Sequence, residues 1–199
     1  VREKNLAGLV RAFARAEARM PGTRLVLLGP RSSGDVLGPL RRAHRGLFRR
    51  GTIEHRSSDT DVGMMLSAAD AFVSNSFFEG WSVAASEALW VGRPLLLSDA
   101  GGAEQLVGEA GARGVLVPNP LGSPQDVGPE RLARPDPESV QRNEEALSDA
   151  IASVASARAS WRAREDELRA FARRTMEPSS VAERYLEVFR DVAAGRRVR

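Results

Sequence analysis

Short apolar runs alternate with amphipathic segments along the first 118 residues, and this alternation constrains the fold more than any other feature. Leu6, Leu9, Val10 and Phe13 fall at i, i+3, i+4 and i+7, which predicts a helix ended by "PGT" at 21–23. "RLVLLG" (24–29), closed by Gly-Pro, predicts a strand buried on both faces. A helix over 36–48, a strand "TIEHR" at 52–56, and a helix capped by Asp59 with Val62, Met65, Leu66 and Ala69 inward come next. The pattern continues with strand 71–75, helix 82–91, strand 94–98, a helix opening near Gly102, and a last strand "GVLVP" at 114–118. Pro94 fits a first strand position, where no ladder N–H is needed. Strand and helix recur every 20 to 25 residues. That rhythm predicts an α/β fold with a doubly wound, Rossmann-like parallel sheet.

Beyond Pro118 the composition turns to Pro, Gly, Asp and Ser up to about Pro137, which predicts a loop excursion over 119–138. Leu147, Ile151 and Val154 then mark one helix, and Trp161, Leu168 and Phe171 another. Val181, Tyr185, Val188 and Val192 mark a last one. The helices of 139–199 are expected to complete the same domain as the 1–118 core. The chain opens on Val1-Arg2-Glu3-Lys4-Asn5 without an initiator methionine, so it is expected to be a piece of something longer.

Composition narrows the function classes. Net charge is +3, and the arginines are interleaved with acids apart from short clusters such as Arg49-Arg50. Nucleic-acid binding would need a denser basic stripe, so no nucleic-acid partner is expected. The absence of cysteine excludes disulfides and thiolate metal sites, and neither His44 nor His55 has a companion at metal-ligand spacing. No apolar run reaches the ~18 residues of a membrane span. No integral membrane segment is therefore expected, and the expected location is cytoplasmic.

In an open parallel sheet, ligands bind beyond the carboxyl ends of the strands. Three polar stretches fall there: "HRSSD" after the second strand, "NSFFEGWS" after the third and "DAGGAE" after the fourth. Gly80 suits a tight turn, and the helix beginning near Ser82 would aim its free N–H groups into the crevice, where they suit a phosphate. Glu79 precedes that helix start, and Glu87 lies about 8 Å along the helix at about 1.5 Å per residue. A carboxylate that accepts two hydroxyls is a natural ribose clamp. Spacing alone carries no weight, because Glu130 and Glu138 repeat it in the Pro-rich stretch.

The wider string does carry weight. Glu79-Gly80-Trp81-Ser82-Val83, Glu87-Ala88, Gly92 with Pro94, and Gly101-Gly102 with Glu104 resemble the donor-binding signature of retaining glycosyltransferases of the GT-B fold, family 4. The opening "EKN" before "LVRAFA" resembles the segment that follows that family's Gly-Arg-Leu turn. The resemblance runs in order from residue 1 to about 118 and implies the C-terminal, donor-binding half of a two-domain architecture. It implies a nucleotide-diphosphate sugar as substrate, with no cofactor and no metal required. It implies catalytic roles for Glu79, facing the sugar, and Lys4, neutralising the leaving phosphate. It implies donor binding by Gly80, Trp81, Ser82, Val83, Glu87, Gly101 and Gly102, with Glu87 on the ribose hydroxyls and the glycines admitting the ligand close to the backbone. The arginine that normally precedes this lysine would lie before Val1, and Ser82 stands where the family often has glycine. The implied partner is the missing N-terminal acceptor-binding domain of the same polypeptide, and the piece alone is expected to be inactive.

Three rivals are open at this point. One is a non-catalytic nucleotide-sugar-binding module, which would be recognised by loss of the carboxylates or the lysine. Another is a sugar-nucleotide epimerase of the same architecture. The third, a dinucleotide-dependent oxidoreductase, needs Gly-x-Gly-x-x-Gly after a strand, and "GPRSSG" at 29–34 has the wrong glycine spacing. Several residues also have plain structural readings. Phe77, Phe78 and Trp81 can simply pack, Glu104 can cap its own helix, and His55 and Arg56 can belong to a polar loop.

Overall fold

The computed structural model describes residues 2–29, 34–57, 61–122 and 141–196. Five parallel strands and ten helices are seen among the described residues. The strands are β1 (Leu25–Gly29), β2 (Ile53–Ser57), β3 (Phe72–Ser74), β4 (Leu95–Ser98) and β5 (Gly114–Val117). Between and around them run α1 (Leu6–Arg19), α2 (Gly34–Ala43), α3 (Arg45–Arg49), α4 (Val62–Ala68), α5 (Val83–Trp90) and α6 (Ala103–Val107). The helices α7 (Glu144–Ser156), α8 (Arg158–Ala163), α9 (Glu165–Met176) and α10 (Pro178–Ala193) follow.

The expected α/β fold class is the one observed, with a difference in the sheet. β1 pairs with β2, β3 pairs with β4 and β4 with β5, but β1 and β3 are not bonded to one another. The two sheets share one core all the same. Val10 and Phe13 of α1 and Leu147 and Ile151 of α7 pack in a single cluster with Leu25, Leu27 and Ile53 of one sheet and Leu96 and Val117 of the other. On the opposite face of β4, Leu95 and Leu97 pack with Ala85, Ala88 and Leu89 of α5, Leu106 of α6, and Leu168 of α9. β4 is thus buried on both faces, as its apolar run requires. β1 is not: Val26 and Leu28 are 39% and 38% exposed, which corrects the expectation of a doubly buried strand. They alternate with the buried Leu25 and Leu27, so they project from the other face of β1, which joins neither buried cluster among the described residues.

Other boundaries shift for local reasons. The helix expected over 36–48 is two helices that meet at His44. The helix marked by Trp161, Leu168 and Phe171 is likewise two, broken at Arg164. Asp61 caps α4 through a bond from the Met64 N–H at 3.0 Å, while Asp59, expected in that role, lies outside the described residues. So do Glu130, Glu138 and most of the 119–138 excursion. α10 buries none of its residues, and Tyr185, Leu186, Phe189 and Val192 are exposed along it. Among the described residues no helix is long and apolar enough to cross a membrane.

Candidate functional site

Parallel pairing brings the strand ends into line: Ser74 sits beside Leu97, and Ser98 beside Val117. Every loop that follows therefore leaves from one edge. The residues just past those ends are polar and buried. Asn75 is 0%, Ser76 2% and Asn119 3% exposed, and Ser98 at the close of β4 is equally enclosed. Buried polar groups must find partners, and here the partners are the loops themselves. Ser98 Oγ donates to the Ser76 carbonyl at 2.7 Å. Asn119 Nδ2 donates to the carbonyls of Phe77 at 3.0 Å and Asp99 at 2.9 Å, bridging two loops with one amide. These buried polar residues were not among those expected from the sequence, although Asn75, Ser98 and Asn119 each stand at or just past the close of an apolar run.

On this floor stands Glu79. Its carboxylate accepts from Lys4 Nζ at 2.5 Å and from Ser76 Oγ at 3.2 Å. The Phe77 N–H donates to the Glu3 carbonyl at 2.8 Å, so backbone as well as side chain ties the 2–5 segment to the 75–81 loop. Lys4, placed at the site by resemblance alone, is therefore brought onto Glu79. Glu79 and Ser82 line a small cavity with Ser74, Ser76, Ser98 and Ala100.

Helix α5 starts at this cavity. Ser82 is its N-cap, and its hydroxyl accepts from the Ala85 N–H at 3.3 Å. The serine thus uses its side chain, which glycine in that position lacks. The N–H groups of Val83 and Ala84, ahead of Ala85 in the first turn, have no acceptor among the described residues. A helix start with open N–H groups carries about half a positive charge.

The glycines divide by role. Gly101 has φ +56°, and a Cβ there would lie 2.1 Å from the Glu79 carbonyl and 2.3 Å from that of Gly80. A Cβ on Gly102 would meet Trp81 Cε3 at 2.6 Å, and its N–H donates to the Gly80 carbonyl at 2.8 Å. The pair lets two loops of the protein approach each other, because a side chain at Gly101 would collide with the Glu79 and Gly80 carbonyls. Gly80 is the reverse. Its φ is not in the left-handed region, so the turn does not demand glycine, and a Cβ would meet nothing within 4 Å. The space above it is open.

Trp81 is 47% exposed and straps the loop to the helix: its Nε1 donates to Ser86 Oγ at 3.0 Å, which donates to the Ser82 carbonyl at 3.1 Å. Phe77 is buried and Phe78 exposed. Val83 is 66% exposed at the helix start. Glu87 is exposed on the second turn of α5 and hydrogen-bonds none of these residues. Glu104 lies in the first turn of α6 without a capping bond to it. His55 and Arg56 are part of β2 itself, not of the loop after it, and Arg56 pairs with Glu54.

Comparison with known proteins agrees with this geometry. The sequence profile described as "Glycosyl transferases group 1" matches residues 1–127. Glycogen synthases of two Mycobacterium tuberculosis strains, CDC 1551 / Oshkosh and H37Rv, are 31% identical over 158 residues, covering 76% of this chain and 36% of theirs. The chain thus spans about a third of the length of those relatives. Among solved structures, Anabaena Alr3699/HepE in complex with UDP superposes with a TM-score of 0.72 at 16% identity over 96% of this chain and 46% of that one. Sucrose-phosphate synthase from Thermosynechococcus elongatus gives 0.66 at 22% identity, over 98% of this chain and 44% of that one. WaaG, a glycosyltransferase involved in lipopolysaccharide biosynthesis, gives 0.64 at 18% identity over 94% and 43%. The fold is that of GT-B glycosyltransferases, and the chain belongs to the glycosyl transferases group 1 family.

Proposed function

We propose that the crevice at the start of α5 binds a nucleotide-diphosphate sugar, and that the protein transfers the sugar to an acceptor with retention of configuration. The observation that carries this is the Lys4–Glu79 pair, which sets a cation and a carboxylate beside a helix start. The diphosphate would rest on the N–H groups of Val83 and Ala84, with room for it above Gly80. Lys4 would turn from Glu79 to the departing phosphate, leaving the carboxylate to face the sugar ring. Glu87, whose exposed side chain has no hydrogen-bond partner among the described residues, would take the ribose hydroxyls.

As the anomeric C–O bond breaks, its electron pair goes to the diphosphate oxygen, and positive charge develops on the ring. Fixed dipoles and Lys4 stabilise the first of these, and the Glu79 carboxylate the second. These groups give the site its own means of stabilising the leaving group, with no metal assigned a part. Retention, membership of family 4 and an acceptor-binding N-terminal domain belong to the same proposal, as does a cytoplasmic setting. The interrupted sheet supports a further strand between β1 and β3, the first strand of this same core, supplied by preceding sequence. The bare apolar stripe of α10 supports contact with the N-terminal domain.

The test is a thermal-shift screen of the full-length polypeptide against nucleotide sugars, beside its Glu87→Ala variant. One sugar nucleotide should stabilise the wild type and barely affect the variant. Stabilisation by none, or equal stabilisation of both, contradicts the proposal.

A further inference from the structure

Lys4 and Glu79 come from distant parts of the chain, and their registration depends on a third part that neither the site residues nor the family signature includes. Gln141 and Asn143 lie two residues apart, just before α7, and both are buried. Gln141 Nε2 donates to Asn5 Oδ1 at 2.7 Å, and Asn5 Nδ2 donates back to Gln141 Oε1 at 2.7 Å. Asn5 is the residue after Lys4 and is 1% exposed. It adopts φ 49° and ψ 48°, a left-handed conformation that asparagine tolerates better than most residues. Its Oδ1 also accepts from the Gly8 N–H at 3.2 Å, which caps α1. Gly8 makes room for this pair, because a Cβ there would lie 2.0 Å from Gln141 Oε1.

Asn143 grips the other side. Its Nδ2 donates to Asn75 Oδ1 at 2.8 Å and to the Pro118 carbonyl at 2.7 Å, using both amide hydrogens. Asn75 is fully buried and opens the loop that carries Glu79. Between the two grips, the Arg142 N–H donates to the Pro120 carbonyl at 3.1 Å. One three-residue segment therefore holds the backbone under Lys4 with one amide and the root of the Glu79 loop with another.

We propose that Gln141 and Asn143 are positioning residues whose amides hold Lys4 in register with Glu79. The chemistry suits the task. A reciprocal amide pair needs a donor and an acceptor on each partner, and amides keep both at any working pH. A carboxylate at 141 would leave Asn5 Oδ1 with the Gly8 N–H alone and set a second acceptor against it, whereas the protonated acid would restore the lost donor. The functional consequence rests on the donor-site reading given above, but the registration does not.

The experiment is hydrogen exchange on the full-length polypeptide, with each variant compared with the wild type at the same pH. In Gln141→Glu, exchange of the 75–80 loop should rise about tenfold at about pH 8, while α5 and α9 stay protected. It should fall back toward the wild-type rate as the pH is lowered and the acid takes up its proton. Gln141→Met and Asn143→Ala should loosen the same loop at high and low pH alike. If Gln141→Met does not fold, the shape-preserving Gln141→Glu still decides the matter through its pH dependence. An unchanged loop in Gln141→Glu at high pH, or a rise spread evenly over the chain, overturns the proposal. UDP titration by calorimetry, run alongside, separates the two readings. Weaker UDP binding by Gln141→Glu at high pH alone supports both. A wild type that binds no UDP while the loop responds as described supports the registration and counts against a uridine donor.

Discussion

Lys4 Nζ stands 2.5 Å from Glu79 Oε2, although 75 residues separate them in the chain. The lysine is about half exposed, at 48%, and the carboxylate is mostly covered, at 17%. An ion pair this open to water adds at most about 1 kcal/mol to stability. In the proposed function its value lies in placing a cation where an anion can take it over.

The first expectation concerns that pair. Lys4→Met should leave the urea midpoint almost unchanged, because exposed pairs contribute about 1 kcal/mol or less. It should lower kcat by about two orders of magnitude, the loss of roughly 3 kcal/mol of transition-state stabilisation. Denaturation and steady-state kinetics on the same preparation check both halves.

The two glycine types should separate in the same way. Gly101→Ala places a Cβ 2.1 Å from the Glu79 carbonyl at a φ of +56°, so urea unfolding should show a loss of about 2 kcal/mol or more. Gly80→Ala meets nothing within 4 Å and needs no positive φ, so stability should hold within about 0.5 kcal/mol. Its methyl group would intrude on the open space instead, and affinity for a nucleoside diphosphate should fall. Chemical denaturation and calorimetric titration distinguish the two outcomes.

Ser82 should behave as a helix cap. Ser82→Ala removes the acceptor for the Ala85 N–H and should cost about 1 kcal/mol, whereas Ser82→Gly should cost only a few tenths. Equal losses in the two variants, measured by thermal unfolding, would show that the hydroxyl does not cap the helix.

Asp70 provides a handle on pH. Burial alone would raise its pKa, but hydrogen bonds and charge from Arg158 and Arg162 more than offset that and hold it below the usual carboxylate value. A lowered folded-state pKa contributes stability that is present above the unfolded value of about 3.9 and is lost as pH falls through the folded one. Wild type should therefore lose part of its advantage over Asp70→Asn as the pH drops below about 4, as followed by thermal unfolding across a pH series.

Much of this was legible in the sequence because the physics is local. Three leucines at 95–97 with turn residues on both sides admit little but a buried strand, and β4 is one. Glu79, Ser82 and the α5 start lie within one short stretch, whereas Lys4, 75 positions from Glu79, was placed beside them by resemblance alone. What was not legible depended on distant partners. The double burial expected of Val26 and Leu28 fails because the face of β1 they project from joins neither buried cluster among the described residues. The Glu79 and Gly80 carbonyls come so close to Gly101 that no side chain fits there, a contact between two loops that periodicity cannot place. Gln141 reaches Asn5 across 136 residues, and no spacing rule connects them.

The central claim is that α5 holds an anion at its start while Glu87 holds the pentose, and a thermodynamic cycle tests it most directly. Calorimetric titration would compare a nucleoside diphosphate with its 2′,3′-dideoxy counterpart on the full-length wild type and on Glu87→Ala. The wild type should prefer the ribose form by about 100-fold, or roughly 3 kcal/mol for a charged hydrogen-bond acceptor, and the variant should show almost no preference. A preference that survives intact in Glu87→Ala, or a wild type indifferent to the ribose hydroxyls, would contradict the account.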